Sequence, residues 1–286
     1  MTDRIDAHHH LWRYTAEEYG WIDDSMCALR KDFLPEDLMA EMRVAGVEGA
    51  VAVQARQTVE ETRWLLEQAE GCEAIRGVVG WAPIASPEFA VTMEEFAGRS
   101  KLKGLRHIVQ AEPDEKFLLG EEFNRGIHAM RGTGLVYDVL VYERQLPQAI
   151  EFAGMHPEQA FVLDHVAKPR IREGVIEPWA SRIRELAKRE NVSCKVSGMV
   201  TEADWGDWTA ETLRPYLDVV VEAFGPERLM AGSDWPVCRV ACGYAQWFGV
   251  LKEYFAGFSE AECEAVFGGT AKRIYRLSRR NVVASM

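Results

Sequence analysis

Short apolar runs alternate with longer stretches of helical periodicity along the whole chain. The apolar runs are rich in Val, Leu, Ile and Ala, and several are apolar at almost every position. That composition is typical of parallel strands that are buried on both faces. The runs predict eight strands, at 5–10, 49–54, 75–81, 103–109, 135–140, 160–165, 192–197 and 229–234.

The stretches between these runs predict helices. Leu38, Met42 and Ala45 recur at helical spacing, so they would share one apolar face. Pro35 suits the first turn of that helix, and Gly46 suits its end. Further helices are predicted at 59–70, 147–152, 179–190, 213–224 and 260–275.

Eight strands with helices between them in 286 residues predict an α/β fold of the (β/α)8 TIM type, as a single domain over 1–286. The alternative is an open doubly wound sheet, which usually has a Gly-rich phosphate loop after its first strand. Here three histidines, His8 to His10, occupy that place. We expect the aromatic insertion at 12–33 to lie over the C-terminal mouth, as a lid, a pocket wall or a packing cluster.

Composition excludes several classes of partner. The formal net charge of −12 repels phosphate backbones, so we expect no nucleic-acid partner. No apolar run is long enough to span a membrane. We expect no secretory leader, because Asp3, Asp6 and histidines stand where a basic and then apolar segment would lie. The six cysteines form no C-x-x-C pair, which predicts free thiols in a cytoplasmic protein.

The first strand carries the most informative chemistry. Side chains alternate between the two faces of a strand, so His8 and His10 would point the same way and His9 the opposite way. Two imidazoles on one face can hold a metal ion or clamp a carbonyl oxygen. A packing role for the pair, or an expression tag, is the alternative interpretation.

Polar residues recur where the predicted strands end, as expected for a barrel whose site lies at the C-terminal face. Asp234 ends an apolar run, and a carboxylate there must be paired, bound to metal or catalytic. His165 follows another apolar run in the same way. The polar or aromatic residues at or just beyond the strand ends are His8, His10, Gln54, Arg56, Trp81, Arg106, His107, Gln110, Tyr137, Asp138, Tyr142, Asp164, His165, Lys168, Lys195, Ser197, Ser233, Asp234 and Trp235.

Taken together, these motifs resemble the amidohydrolase superfamily, in its amidohydrolase-2 type. The opening segment 6–12 is similar to the His-x-His strand of that superfamily. The segments 104–107, 163–169 and 232–236 resemble its sugar-lactonase branch, that of the L-fuconolactonases and L-rhamnonolactonases. Dicarboxylate-pyrone lactonases are more distant relatives of this branch.

The resemblance implies a distorted barrel that hydrolyses a lactone. It implies that His8, His10, His165 and Asp234 are the catalytic residues, and that they could hold one divalent ion such as zinc. Binuclear members have a bridging Lys or Glu on strand 4 and a His on strand 5. Here strand 4 ends in Arg106 and His107, and strand 5 has Tyr137 and Asp138, so at most a mononuclear site is expected, and a metal-independent enzyme stays open.

On this hypothesis Asp234 takes a proton from water and returns it to the ring oxygen. The histidines, with or without a metal, polarise the carbonyl or hold the water. Six further side chains are predicted to bind substrate: Arg106, His107, Tyr137, Lys195, Trp81 and Trp235.

A neutral sugar lactone suits the acidic chain better than a dicarboxylate. The alternatives are a dicarboxylate-pyrone lactonase, a metal-dependent amidohydrolase or decarboxylase acting on another small substrate, and a barrel that binds a sugar acid without turnover. We expect a monomer or a homodimer.

Overall fold

Eight parallel strands pair in chain order, each with the next, and helices fill the connections. The computed structural model describes residues 3–278. The predicted (β/α)8 barrel is confirmed, and every predicted strand is present with small differences at its ends. The strands are β1 Ile5–His9, β2 Gly49–Val53, β3 Ile75–Gly80, β4 Leu102–His107, β5 Val136–Val139, β6 Phe161–Leu163, β7 Val192–Val196 and β8 Leu229–Ala231.

The barrel closes between its first strand and the segment that follows its last. The Asp234 N–H donates to the His8 carbonyl over 2.8 Å, and the His10 N–H donates to the Trp235 carbonyl over 2.6 Å. Gly232 permits this approach, because a Cβ there would lie 2.9 Å from the His8 Cβ. Closure therefore brings the end of β8 directly beside the histidines of β1.

A buried carboxylate reinforces the closure. Asp6 accepts hydrogen bonds from the Ser233 N–H at 2.8 Å and the Ser233 hydroxyl at 2.6 Å. Burial raises the pKa of Asp6 to about 6, even though these hydrogen bonds act to lower it. Asp6 therefore ties the two ends of the barrel together below the histidines.

Ten α-helices lie within residues 3–278: α1 Pro35–Ala45, α2 Val59–Gly71, α3 Phe89–Glu95, α4 Glu121–Ala129, α5 Leu146–Met155, α6 Trp179–Ala187, α7 Ala210–Phe224, α8 Tyr244–Tyr254, α9 Glu260–Glu264 and α10 Thr270–Ile274. No helix among them is long and apolar enough to cross a membrane. The sequence pattern did not predict α3, α4 or α8.

The prediction of one helix over 260–275 is wrong. A π-helical turn at Ala265–Gly269 separates α9 from α10. At Gly268 the chain passes so close to the start of β1 that a Cβ would lie 2.4 Å from the Asp3 carbonyl oxygen. The close approach to the barrel floor explains the break, since a regular helix with side chains does not fit there.

Alternate residues of the strands fill the barrel interior below its C-terminal end. They form a buried cluster separate from the one between strands and helices. Tyr275, which follows α10, joins this interior cluster with 1% of its surface exposed. The interior cluster consists of Ile5, Ala7, Val51, Val53, Val79, Val136, Val162, Met230, Ala271, Tyr275 and Leu277.

The insertion at 12–33 is anchored at both ends. The backbones of Trp12 and Phe33 exchange hydrogen bonds of 3.0 and 2.9 Å, and the Trp12 indole N–H donates to a carbonyl within the insertion. Arg56, which follows β2, pairs with Glu18 at 3.0 Å. The Phe33 ring lies 5.2 Å from that of Trp235. These contacts join the insertion to the ends of β2 and β8, and a lid role for it stays a prediction.

Candidate active site

Three side chains, two from the end of β1 and one from the segment after β8, converge at the C-terminal end of the barrel. His8 and His10 face each other with their Nε2 atoms 3.2 Å apart, which confirms that they share a face. Asp234 Oδ1 lies 3.3 Å from His10 Nε2 and 3.8 Å from His8 Nε2. His10 Nδ1 donates to the Val53 carbonyl over 2.8 Å, which orients the ring so that its Nε2 faces the cluster.

His165 completes the cluster from β6. Its Nε2 lies 3.8 Å from Asp234 Oδ1, and its ring centre lies 4.3 Å from that of His8. Its Nδ1 forms a 2.9 Å hydrogen bond with the Ser197 hydroxyl. His165 and Asp234 both have positive φ, at 52° and 56°. Backbone strain of this kind in residues other than glycine is concentrated at functional sites.

Gly198 makes room for the His165 ring. Its φ is +62°, and a Cβ there would lie 2.5 Å from His165 Nδ1. Gly174 has a similar φ of +66°, but a Cβ there would have no atom within 4 Å. A substitution would strain the backbone at both glycines, but only at Gly198 would the new Cβ clash with a neighbour.

We expect Gly198→Ala to lower the free energy of unfolding by more than Gly174→Ala, which should cost about 1 kcal/mol from its φ alone. The excess reports the clash with the His165 ring. Denaturant unfolding of both variants measures the difference. Equal losses would contradict the tight packing of Gly198 against His165.

A second buried group lies on the inner side of the histidines, around Asp164. The Arg106 guanidinium donates to Asp164 Oδ2 at 2.8 Å, and the Lys195 ammonium lies 3.0 Å from Oδ1. Both cations also reach His8: Arg106 Nη1 is 3.4 Å from its Nε2, and Lys195 Nζ is 3.2 Å from its Nδ1. Asp164 thus positions the Arg106 and Lys195 cations beside the His8 imidazole.

Each of these cations has further partners. Arg106 donates to the backbone and side-chain oxygens of Gln54. Lys195 donates to Asp138, whose carboxylate also accepts the Tyr275 hydroxyl at 2.8 Å. Lys195, Asp138 and Asp164 are fully buried, where unpaired charges would be prohibitively costly. The network is therefore internally neutralised.

Burial sets the protonation of the cluster. It lowers the pKa of His165 to about 4 and that of His8 well below its usual value. Burial alone would raise the pKa of Asp234, but His165 and His10 hold it below its ordinary value. Near neutral pH His8 and His165 are therefore neutral imidazoles and Asp234 is a carboxylate, and these are donor types that zinc prefers.

The donor atoms fall into two groups that could hold a metal ion, each with its atoms within 4.8 Å of one another. His8, His10 and Asp234 form the first group, and His8, Asp164 and His165 form the second. In the second group both carboxylate oxygens of Asp164 already face a cation. The first group therefore fits one divalent ion better, with His165 beside it instead of among its closest atoms.

His107 and Trp81 lie next to each other at the ends of β4 and β3. The Trp81 indole N–H donates to His107 Nδ1 over 3.2 Å, and His107 Nε2 lies 2.6 Å from Glu112 Oε1. Both ring nitrogens of His107 thus have protein partners. This geometry orients the Trp81 indole, and substrate contact by either residue stays a prediction.

The structure does not bring Tyr137 into the cluster. Its ring packs against Phe123, Phe152 and Phe161, between β5 and the helices. Adjacent residues of a strand point to opposite faces, and Asp138 points to Lys195 instead. Trp235 is 1% exposed and packs under the insertion. Substrate contact by Tyr137 or Trp235 has no support in this packing.

Sequence reasoning collected Asp164 and Asp138 as strand-end residues but gave neither a role. A carboxylate immediately before His165, at the end of an apolar run, was the available signal for Asp164. Ser197 and Gln54 were collected in the same way, and their partners become visible only in the fold.

Comparison with known proteins identifies the family of this chain. The amidohydrolase family model matches residues 5–277. An L-fucono-1,5-lactonase of Burkholderia multivorans is 42% identical over 96% of each chain, and one of Burkholderia ambifaria is 36% identical over 98% of this chain and 97% of its own. The crystal structure of a Burkholderia multivorans amidohydrolase with bound zinc superposes with a TM-score of 0.93 at 42% identity, over 97% of this chain and 100% of that one. This chain belongs to the amidohydrolase family.

Proposed function

We propose that this chain is a lactonase that opens a six-membered aldonolactone of the L-fucono-1,5-lactone type to the corresponding sugar acid. The observation that carries the proposal is the convergence of the Asp234 carboxylate with His8, His10 and His165 at the C-terminal end of the barrel. The relatedness over nearly the full length to two L-fucono-1,5-lactonases supports the choice of substrate.

Asp234 is proposed as the group that moves the proton. Its carboxylate accepts a proton from the attacking water, and the resulting acid returns the proton to the ring oxygen as the C–O bond breaks. The hydrogen bond and charge of its histidine neighbours lower the pKa of Asp234 against the effect of burial. A low pKa weakens the carboxylate as a base but makes the acid a ready donor to the leaving alkoxide.

The imidazoles are proposed to orient the reactants. His10 Nε2 faces the cluster because Nδ1 donates to the Val53 carbonyl, so Nε2 can form a hydrogen bond with the attacking water. When the Ser197 hydroxyl donates to His165 Nδ1, His165 Nε2 carries a hydrogen and can donate to the lactone carbonyl. These contacts would align water and carbonyl on the Asp234 side of the ring.

We propose that His8, His10 and Asp234 hold a divalent cation such as zinc, since their donor atoms lie together. The chemistry that such an ion supplies when bound is Lewis-acid polarisation of the carbonyl.

Zinc titration of chelator-treated protein is expected to saturate at one equivalent per chain. A second ion at Asp164 would lie beside the Arg106 and Lys195 cations, and like charges about 4 Å apart repel by about 4 kcal/mol per pair of unit charges near a protein surface. Equilibrium dialysis with metal analysis measures the stoichiometry, and His10→Asn should weaken binding. Two tightly bound equivalents would contradict this assignment.

The interior charges favour a neutral lactone over a dicarboxylate. A dianion requires cations that are free to bind it, whereas Arg106 and Lys195 are already paired with Asp164 and Asp138. We also propose a cytoplasmic location, because all six cysteines are free thiols, as a reducing compartment requires.

A panel of lactones assayed by proton release, with and without chelator, tests the function. We expect the highest kcat/KM for L-fucono-1,5-lactone or a close stereoisomer, and a much lower value for 2-pyrone-4,6-dicarboxylate. Absence of turnover for every aldonolactone, in folded and zinc-supplemented protein, would reject the proposal.

A further inference from the structure

A loosely joined ion pair lies beside the cluster, formed by Lys168 and Glu202. Lys168 follows His165 by three residues, and its N–H donates to the His165 carbonyl over 2.8 Å. Glu202 ends a short 3-10 helix at Val200–Glu202, just after β7. Both side chains therefore belong to loops at the C-terminal end of the barrel, where the cluster lies.

The charges of Lys168, Glu202 and Asp234 influence one another. Burial raises the pKa of Glu202, and the Asp234 charge raises it further against the effect of Lys168. Lys168 is in turn one of the charges that lower the pKa of Asp234 against burial. The turn that holds Glu202 also packs against the turn at Val237–Val240, which follows Asp234 in the chain.

The Lys168–Glu202 pair is largely buried, but its charged atoms are not in direct hydrogen-bond contact. Lys168 Nζ lies 3.6 Å from Glu202 Oε1, with 17% and 23% of the two side chains exposed. This distance exceeds that of a direct hydrogen bond. The surface pair Lys188–Glu185 is closed at 2.6 Å. The Lys168 ammonium and the Glu202 carboxylate are therefore not directly hydrogen-bonded to each other, unlike Lys188 and Glu185. They can donate to and accept from another molecule.

Tyr142 flanks the ammonium. Lys168 Nζ lies 5.5 Å from the centre of the Tyr142 ring, within the range of a cation–π contact. The ring and the Glu202 carboxylate together limit where the ammonium can move. The Lys168 ammonium is therefore held near the site without a short hydrogen bond to Glu202.

Sugar hydroxyls both donate and accept hydrogen bonds. The partly dehydrated Lys168 ammonium can donate to a sugar hydroxyl, and the Glu202 carboxylate a few ångströms away can accept from one. A lactone without hydroxyls would leave these polar groups unsatisfied, and such a mismatch discriminates strongly between substrates. The Glu202 charge would in addition repel an anionic substrate.

We propose that Lys168 and Glu202 form the subsite that binds the hydroxyl groups of the lactone ring and so selects polyhydroxylated lactones over unsubstituted ones. The proposal rests on the proposed lactonase function and deepens it, because it assigns the specificity of that same site to two residues outside the His–Asp cluster.

The test compares two substrates, L-fucono-1,5-lactone and δ-valerolactone, which has the same ring size but no hydroxyls. In Lys168→Met and Glu202→Gln, we expect kcat/KM for the sugar lactone to fall about 10- to 100-fold more than that for δ-valerolactone, the loss of one charged hydrogen bond. Most of that differential should appear in KM. The matched controls Lys188→Met and Glu185→Gln should keep the wild-type ratio.

Each outcome decides between the proposals. Equal losses on both substrates, or an unchanged ratio, overturn the subsite while the lactonase function stands. Failure of the wild-type protein to open either lactone overturns the function and the subsite with it. Circular dichroism checks the fold, and Glu202→Gln, which conserves side-chain volume, decides the question alone should Lys168→Met not fold.

Discussion

Asp234→Asn is expected to lower kcat for lactone opening by about 10²- to 10⁴-fold, the usual contribution of a positioned acid–base group. The amide cannot accept the proton of the attacking water or return it to the ring oxygen. Asparagine also tolerates the positive φ of 56° at this position, and the backbone hydrogen bond to His8 does not involve the side chain. The variant should therefore fold.

Steady-state kinetics on the best aldonolactone and circular dichroism measure the two parts of this prediction. Asp218→Asn serves as the control, since Asp218 is exposed on α7 and its oxygen accepts from the Tyr254 hydroxyl, a bond that asparagine can keep. A folded Asp234→Asn variant with near-normal kcat would remove Asp234 from the proton transfer.

Lys195→Met is expected to lower the free energy of unfolding by about 3–5 kcal/mol, which is typical when one partner of a buried ion pair is removed. Lys195 is fully buried and lies against two carboxylates, Asp138 and Asp164. Without the ammonium, Asp164 keeps the Arg106 cation and the His8 imidazole nearby, and Asp138 keeps the Tyr275 hydroxyl. A hydroxyl cannot neutralise the Asp138 charge.

The double variant Lys195→Met with Asp138→Asn removes the unpaired charge and should recover part of that loss. Chemical denaturation of the single and double variants provides the comparison. Lys188→Met, at an exposed ion pair on the end of α6, should change stability by less than about 1 kcal/mol. A loss as small as this in Lys195→Met would show that the network does not depend on its ammonium.

The fold was predictable because its signals are local. A buried parallel strand is a short apolar run, and eight such runs with helices between them leave few architectures. His8 and His10 were predictable for the same reason, since strand alternation puts residues two apart on one face. The match of the family model to residues 5–277 confirms the resemblance drawn from the motifs.

The charge network was not predictable in this way. Arg106, Asp164 and Lys195 lie on different strands, and the sequence does not indicate which of several strand-end charges will meet. The short helix α3 has only 7 residues, too few for a clear periodic pattern. The break before α10 arises from contact with the start of β1, which is remote in the chain.

The choice between Tyr137 and Asp138 illustrates the same limit on one strand. Adjacent residues of a strand point to opposite faces. If the predicted phase of the strand is wrong by one residue, a side chain assigned to the barrel interior lies in the helix layer instead. The apolar pattern of β5 is too short to show which of the two residues points inward. In the structure Asp138 points inward, where it pairs with Lys195.

The Tyr275 hydroxyl reaches Asp138 from the floor of the barrel, while Asp234 comes from the closing strand and His8 from the opening one. During synthesis His8 leaves the ribosome long before Asp234, its proton-handling partner, and Tyr275, the last support of the charge network. A nascent chain that has not yet emerged beyond these residues cannot hold an assembled reaction centre, so chemical competence requires closure of the barrel.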